Sequence, residues 1–147
     1  MTVRIKICGV RSPEVAEHVS RAGADAIGLV FYPGSVRAVD TAAAAEIAAA
    51  VSPLVSVVGL FVDADPDQVH RVLERYPLDL LQFHGAEDDA YCRQFNQPFL
   101  KAIAMRPDVN VASCLAAYPS ARGFLFDSCA DGRSGGTGVS FDWSRLP

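Results

Sequence analysis

The chain has 147 residues, of which 50% are hydrophobic and 20% charged, so it can bury one core of ordinary domain size. Its net charge of −4 and the lack of a basic block argue against a broad nucleic-acid surface. Each apolar run is broken before the ~18 residues that a membrane span needs, and the N-terminus lacks the zones of a signal peptide. We therefore expect a single domain over residues 1–147 that is cytoplasmic and binds neither nucleic acid nor membranes.

The cysteines are widely spaced and contain no C-x-x-C pair. They are Cys8, Cys92, Cys114 and Cys129. This spacing argues against a disulfide framework and against a zinc site. We expect reduced thiols, and neither a metal nor a cofactor.

Apolar, β-branched runs alternate with helical periodicity along the whole chain. Strands are predicted at residues 3–8, 26–31, 54–62, 78–83, 99–104 and 123–126. The predicted helices begin after Ser12, at Thr41 after Asp40, at Asp65-Pro66, at 87–89 and near Val109. Six consecutive βα units predict a parallel sheet, because each crossover helix returns the chain to the same edge.

Strands that are apolar along their whole length are buried on both faces, which leaves an open doubly wound sheet or a barrel. No G-x-G-x-x-G motif follows the first strand, and polar residues recur where strands end. The pattern therefore favours a (β/α)8 TIM-type barrel of the α/β class, with about six of the eight units present.

Strand alternation places several polar side chains on one face near the C-terminal strand ends. Lys6 and Cys8 share a face in the first strand, as do Gln82 and His84 in the fourth, while Asp127 follows the sixth. Polar groups on a buried face are costly unless they meet partners or a ligand, so this pattern predicts a polar cavity. Each residue also has a structural interpretation: a packed thiol for Cys8, a core or capping histidine for His84, and a helix cap for Asp127.

Two loops add candidate binding groups. Arg37 follows the second strand through a Pro-Gly turn, where a guanidinium could hold a carboxylate through two hydrogen bonds. Residues 131–138 form a glycine-rich stretch that could be a phosphate cradle, a mobile lid or a plain flexible loop, and it lacks the ending of a P-loop.

In order, these segments resemble the phosphoribosylanthranilate isomerase family, whose members are (β/α)8 barrels of tryptophan biosynthesis. The matching pieces are Lys6-Ile7-Cys8-Gly9-Val10, Gly28-Leu29-Val30-Phe31 with Pro33, Ser35 and Arg37, Val58-Gly59-Leu60-Phe61-Val62, Leu81-Gln82-Phe83-His84-Gly85, Phe126-Asp127, Gly135-Gly136-Thr137-Gly138 and Phe141-Asp142-Trp143. They cover nearly all of the chain, and such an ordered set is highly specific.

The resemblance implies an Amadori rearrangement of N-(5-phosphoribosyl)anthranilate to 1-(2-carboxyphenylamino)-1-deoxyribulose 5-phosphate. It implies that Cys8 is the general base and Asp127 the general acid, and that Arg37 holds the anthranilate carboxylate. Gln82 and His84 are implied as supporting residues of the substrate site. For Lys6, which is predicted on the same face as Cys8, we infer a positive charge that favours the thiolate.

The resemblance also implies two further strands after Phe141-Asp142-Trp143, whose loops supply a phosphate site. Without them, the outer strands would have bare edges, so we expect the 147-residue polypeptide to self-associate and to have little or no isomerase activity by itself. Two alternatives stay open. One is another phosphosugar barrel enzyme, such as an aldolase that uses Lys101 or Lys6, and the other is a noncatalytic barrel fragment that acts as an assembly unit.

Overall fold

A six-stranded parallel sheet forms the centre of the protein. The computed structural model describes residues 3–76, 78–130, 133–134 and 140–147. The strands are β1 (Lys6–Cys8), β2 (Ala26–Val30), β3 (Ser56–Phe61), β4 (Leu80–Phe83), β5 (Phe99–Ala104) and β6 (Gly123–Asp127). They lie side by side in chain order, and all five pairings are parallel. The sheet is thus the α/β arrangement of a TIM-type barrel, as the sequence predicts.

Helices connect successive strands, and most begin where the sequence places a cap. They are α1 (Pro13–Arg21), α2 (Thr41–Ala49), α3 (Pro66–Arg75), α4 (Asp89–Arg93) and α5 (Val111–Ala116). The caps Ser12, Asp40 and Asp65 accept backbone N–H groups of the first helical turn, which otherwise lack partners. The helix after β4 begins later than predicted, because Asp88 is its cap and Glu87 lies outside it.

The side chains of one sheet face pack against the helices and form the main core. The largest buried members on this face are Ile27, Leu29, Phe61, Leu81, Phe83 and Phe99. They contact helix residues that include Ala16, Ile47, Val69 and Cys92. Each fully buried Leu, Ile or Phe side chain contributes about 1.5–3 kcal/mol, so this layer holds the helices on the sheet.

Three of the six strands begin later than predicted, and the other three begin at the predicted residue. Residues 3–5, 54–55 and 78–79 precede β1, β3 and β4, and Asp127 is the last residue of β6 rather than the first residue after it. In the described ranges, β1 and β6 each pair with a neighbour on one side only. None of the described helices combines the length and the apolar composition needed to cross a bilayer.

After β6 the backbone of Cys129–Ala130 pairs antiparallel with that of Arg133–Ser134. The rest of the glycine-rich stretch, residues 131–132 and 135–138, lies outside the described residues. The interpretations offered for this stretch therefore stay predictions. A final 3-10 turn, Trp143–Arg145, follows, and Arg145 donates to the carbonyl oxygens of Arg106 and Val109.

Candidate active site

Strand register places the polar candidates on the sheet face opposite the helices. Cys8 pairs with Gly28, Gln82 with Leu100, and Asp127 with Ala104. Partners in a parallel register point to the same face, and residues two apart in a strand do so as well. Following these pairs across the six strands puts Lys6, Cys8, Gln82, His84 and Asp127 on a single face. Cys8 ends β1 and Asp127 ends β6, so both lie at the C-terminal edge.

Lys6 and Cys8 meet over a glycine. A Cβ atom on Gly28 would lie 2.9 Å from the Cys8 sulfur and 3.1 Å from the Lys6 nitrogen Nζ. Gly28 therefore clears the space in which the thiol and the ammonium group lie. The sequence predicts the shared face of Lys6 and Cys8, but the role of Gly28 depends on a neighbouring strand and was missed.

Arg37 lies beside the loop that follows Cys8. Gly9 has a φ of +81°, and a Cβ atom there would come within 2.6 Å of the Arg37 Cδ atom. The backbone of Arg37 is held by the hydroxyl of Ser35, which accepts its N–H at 3.1 Å. Arg37 is exposed. A cation on an open loop beside β1 can bind an anionic ligand at the C-terminal edge of the sheet, which we call the rim.

His84 connects the fourth strand to the sixth. Its Nε2 atom lies 3.0 Å from Oδ2 of Asp127, and its Nδ1 atom lies 2.9 Å from Nε2 of Gln82. The side chains of His84 and Asp127 are 16% and 19% exposed, so both remain within reach of a ligand. Gln82 is only 1% exposed, and its Oε1 atom has no hydrogen-bond partner among the described residues. The sequence predicts a shared face for these residues but not this chain of contacts.

A buried ion pair on the helix-facing side of the sheet holds the loops that carry the candidate residues. Lys101 lies 2.9 Å from Glu87, and both side chains are 2% exposed. The ammonium group also donates to the carbonyl oxygen of Gly85 at 2.6 Å, while Glu87 accepts the backbone N–H groups of Asp63 and Gly85. The same ammonium group donates to the carbonyl oxygen of Phe83 at 3.4 Å, so these contacts join the loops after β3 and β4 and hold the backbone on both sides of His84. The sequence predicts Glu87 at a helix start and does not reveal its pair with Lys101.

Lys101 is not placed for Schiff-base chemistry. Its register partner is Phe83, so it lies on the helix-facing side of the sheet, away from Cys8 and Asp127. Its nitrogen donates to a carboxylate and to backbone carbonyls, and it lies 5.5 Å from the ring centre of Tyr118. An aldolase lysine must present a neutral amine to the substrate, so this geometry counts against Lys101 as an aldolase lysine.

The structure separates the thiols by environment. Cys92 is fully buried, and burial raises the pKa of its thiol to about 12 even though the Lys101 ammonium opposes the shift. Cys8 is partly exposed at its strand end. Since only the thiolate is a strong base or nucleophile, Cys92 is a packed core residue.

A cavity of about 410 Å³ borders His84, but its lining also includes Lys101, Cys114 and Tyr118 on the helix side of the sheet and neither Cys8 nor Asp127. It therefore does not by itself join the thiol and the carboxyl group. In the part of the chain that the structure describes, no three His, Cys, Asp or Glu side chains are grouped to hold a metal ion. What the rim does contain is a thiol, a carboxyl group and an imidazole, which are groups that transfer protons.

Comparison with known proteins identifies relatives along nearly the whole chain. Residues 5–147 match the family model described as N-(5'-phosphoribosyl)anthranilate (PRA) isomerase. The chain is 52% identical to N-(5'-phosphoribosyl)anthranilate isomerase of Cellvibrio japonicus over 146 residues, which cover 99% of this chain and 68% of that protein. It is 50% identical to the protein of the same name from Pseudomonas aeruginosa, with 99% and 69% covered.

Solved structures show the same relationship. The phosphoribosyl anthranilate isomerase of Thermotoga maritima superposes with a TM-score of 0.88 at 33% identity, covering 99% of this chain and 70% of that one. A second structure of this kind, in complex with reduced 1-(o-carboxyphenylamino)-1-deoxyribulose 5-phosphate, has a TM-score of 0.79 at 32% identity. It covers 87% of this chain and 66% of that one.

Proposed function

The chain belongs to the N-(5'-phosphoribosyl)anthranilate isomerase family, and from this membership we propose that Cys8 and Asp127 carry out the proton transfers of the isomerisation. The reaction belongs to tryptophan biosynthesis. One relative binds a reduced 1-(o-carboxyphenylamino)-1-deoxyribulose 5-phosphate, which supports a small phosphosugar as the ligand.

The rearrangement needs an acid first and a base second. Asp127 donates a proton to the ribose ring oxygen, the bond from that oxygen to C1′ breaks, and a Schiff base forms between C1′ and the anthranilate nitrogen. The Cys8 thiolate then removes the proton from C2′. The resulting enol loses its hydroxyl proton while C1′ gains one, so the product has the composition of the substrate. Both groups end strands on one sheet face, which supports their action on the same sugar.

Two cations have supporting roles in this proposal. Lys6 lies with Cys8 over Gly28, and a nearby ammonium group favours the thiolate form of a cysteine. Arg37, beside the loop after Cys8, binds the anthranilate carboxylate. Direct contacts of Lys6, Arg37, Gln82 and His84 with the substrate stay predictions.

The observation that carries this proposal is the contact between His84 and Asp127 at the same edge as Cys8. Loss of the fluorescent anthranilate substrate measures turnover. We expect Cys8→Ser and Asp127→Asn each to lower kcat by about 10²–10⁴-fold, the usual contribution of a general acid or base. Matched controls are Cys114→Ser on α5 and Asp67→Asn on α3, which should keep the parent rate.

The assay is best run on the 147-residue chain and on a chimera that adds the two further βα units implied by the resemblance, taken from the Cellvibrio japonicus relative. The chimera should show the larger rate, because the added units would support β1 and β6. If the Cys8→Ser and Asp127→Asn variants of the chimera turn over substrate as fast as their controls in the chimera, the assigned roles are wrong. If the parent chimera binds no product analogue, the noncatalytic alternative is favoured.

We also propose that the 147-residue chain self-associates through its outer strands. In β1 and the residues just before it, Val3, Ile5 and Ile7 are 84%, 49% and 41% exposed. Unpaired strand edges readily pair with another chain. Analytical ultracentrifugation should find species larger than a monomer. A monomer at every concentration would contradict this.

A cytoplasmic location is the final part of the proposal. The free cysteines Cys8, Cys92 and Cys114 suit a reducing compartment. Fractionation of cells that express the tagged chain should recover it with cytoplasmic markers.

A further inference from the structure

Gln82 is buried at a cost that packing does not explain. Its side chain is 1% exposed, and its Oε1 atom is left without a hydrogen-bond partner in the described structure. An unpaired buried polar atom costs about as much as a lost hydrogen bond, and an apolar side chain would avoid that cost. The one described partner of the Gln82 amide is His84, whose Nδ1 atom lies 2.9 Å from Nε2. The described contact through which the Gln82 side chain can act is therefore the one to His84.

We propose that Gln82 is a positioning residue that fixes the tautomer of His84. An amide nitrogen can only donate a hydrogen bond, so the contact from Gln82 Nε2 requires an unprotonated Nδ1 on His84 as its acceptor. The imidazole proton then lies on Nε2, which donates to Oδ2 of Asp127 at 3.0 Å. This inference rests on the proposed function, because it assigns the support of the acid in that reaction.

The amide orientation has a physical basis. Turning the Gln82 amide over would offer Oε1 to His84 and move the NH2 group to the position that now has no partner. Buried N–H groups without acceptors are rarer than carbonyl oxygens without donors, and an NH2 group would leave two of them. The orientation in which Gln82 donates is therefore the less costly one.

The consequence for the reaction concerns which oxygen of Asp127 exchanges the proton. Oδ2 is occupied by the N–H of His84, so the proton given to the sugar ring oxygen is carried on Oδ1. When that proton leaves, the His84 N–H stabilises the carboxylate that remains, since charge-assisted hydrogen bonds are the stronger kind. The hydrogen bond from Gln82 thus disfavours any state of His84 in which an unprotonated ring nitrogen faces Asp127.

Nitrogen-15 NMR of the imidazole rings tests this directly. The chain has three histidines, and the other two, His18 and His70, are exposed on α1 and α3. The His84 signals are those that His84→Asn removes. In the parent protein we expect Nδ1 of His84 to have the nitrogen-15 chemical shift of an unprotonated nitrogen and Nε2 that of a protonated one. A protonated Nδ1 in neutral His84 overturns the proposal, and this readout needs neither turnover nor a variant of Gln82.

Two substitutions at Gln82 make the test independent of packing. Gln82→Leu keeps the approximate side-chain volume and removes the Oε1 atom that has no hydrogen-bond partner in the described structure. The variant should therefore be at least as stable as the parent protein. In the chimera its kcat should nevertheless fall about tenfold, the effect of one ordinary hydrogen bond, with little change in KM. Gln82→Glu replaces the donor by an acceptor, so it should place a proton on Nδ1 of His84 and shift the pH profile of kcat.

The outcomes separate this inference from the proposed function. Unchanged His84 signals and pH profiles in both Gln82 variants would overturn the positioning role while leaving Cys8 and Asp127 as base and acid. Full activity of Asp127→Asn would instead remove the proposed acid, while the tautomer measurement would still report on the contact between Gln82 and His84.

Discussion

The buried pair of Lys101 and Glu87 offers the sharpest test of how the rim is held. Lys101→Met keeps most of the side-chain length but removes the ammonium group that lies 2.9 Å from Glu87, where both side chains are 2% exposed. Breaking a buried pair on one side costs about 3–5 kcal/mol, because the remaining charge has lost its partner. The total stability of a domain is only about 5–15 kcal/mol, so this would be a large loss.

The double variant Lys101→Met/Glu87→Gln separates the pair from general packing. It contains no uncompensated charge, and its Gln side chain can still accept one of the two backbone N–H groups that Glu87 binds. We expect it to be more stable than Lys101→Met alone, with a coupling energy of about 0.5–3 kcal/mol. The surface pair of Arg21 and Glu17, which are 77% and 53% exposed, supplies the control, and Arg21→Gln should cost about 0.5 kcal/mol.

Urea unfolding followed by circular dichroism gives these free energies, and the transition of Lys101→Met should move to lower urea with an unchanged slope. In a thermal scan its midpoint should fall by roughly 6–20 °C, at about 2–4 °C per kcal/mol for a chain of this size. The pair does not hold the loops as described if the free energy of unfolding of Lys101→Met lies within about 1 kcal/mol of that of the parent protein, or if the double variant is no more stable than Lys101→Met.

Three further predictions concern the site and its strand. Iodoacetamide at mildly alkaline pH should alkylate Cys8 of the folded chain and leave Cys92 unmodified, because burial raises the pKa of the Cys92 thiol to about 12. Equal labelling of the two cysteines in peptide mass mapping would contradict this. Gly28→Ala should displace the thiol, because the new Cβ would lie 2.9 Å from it, and a shift of about 1 Å can cost roughly a hundredfold in rate; an unchanged kcat would show that Gly28 is not needed there. The hydrogen bond from the backbone N–H of Ile5 is the main cause that lowers the pKa of Asp25 below 3.8. The ionised Asp25 therefore stabilises the fold above pH 3.8, and this stabilisation is lost as the pH falls through the lowered pKa. Asp25→Asn should therefore reduce stability at neutral pH, and a constant difference from the parent protein down to acid pH would contradict the prediction.

The sequence alone predicted the order of strands and helices, because that information is local. Apolar runs and caps such as Ser12, Asp40 and Asp65 depend on residues a few positions apart, so they can be recognised without a fold. Strand alternation also placed Lys6 with Cys8 and Gln82 with His84. Strand starts were predicted unevenly: those at Ala26, Phe99 and Gly123 are observed, whereas residues 3–5, 54–55 and 78–79 lie before the observed strands.

Only the tertiary structure decided which of these residues touch. His84 meets Asp127 across 43 positions of chain, Lys101 meets Glu87 after an intervening helix, and Gly28 clears space for a thiol on the neighbouring strand. These contacts depend on the parallel register and on which sheet face each side chain occupies, and register is a property of paired strands rather than of one strand. The sequence determined the chemical groups and the edge at which they gather, while the pairing of strands decided their partners.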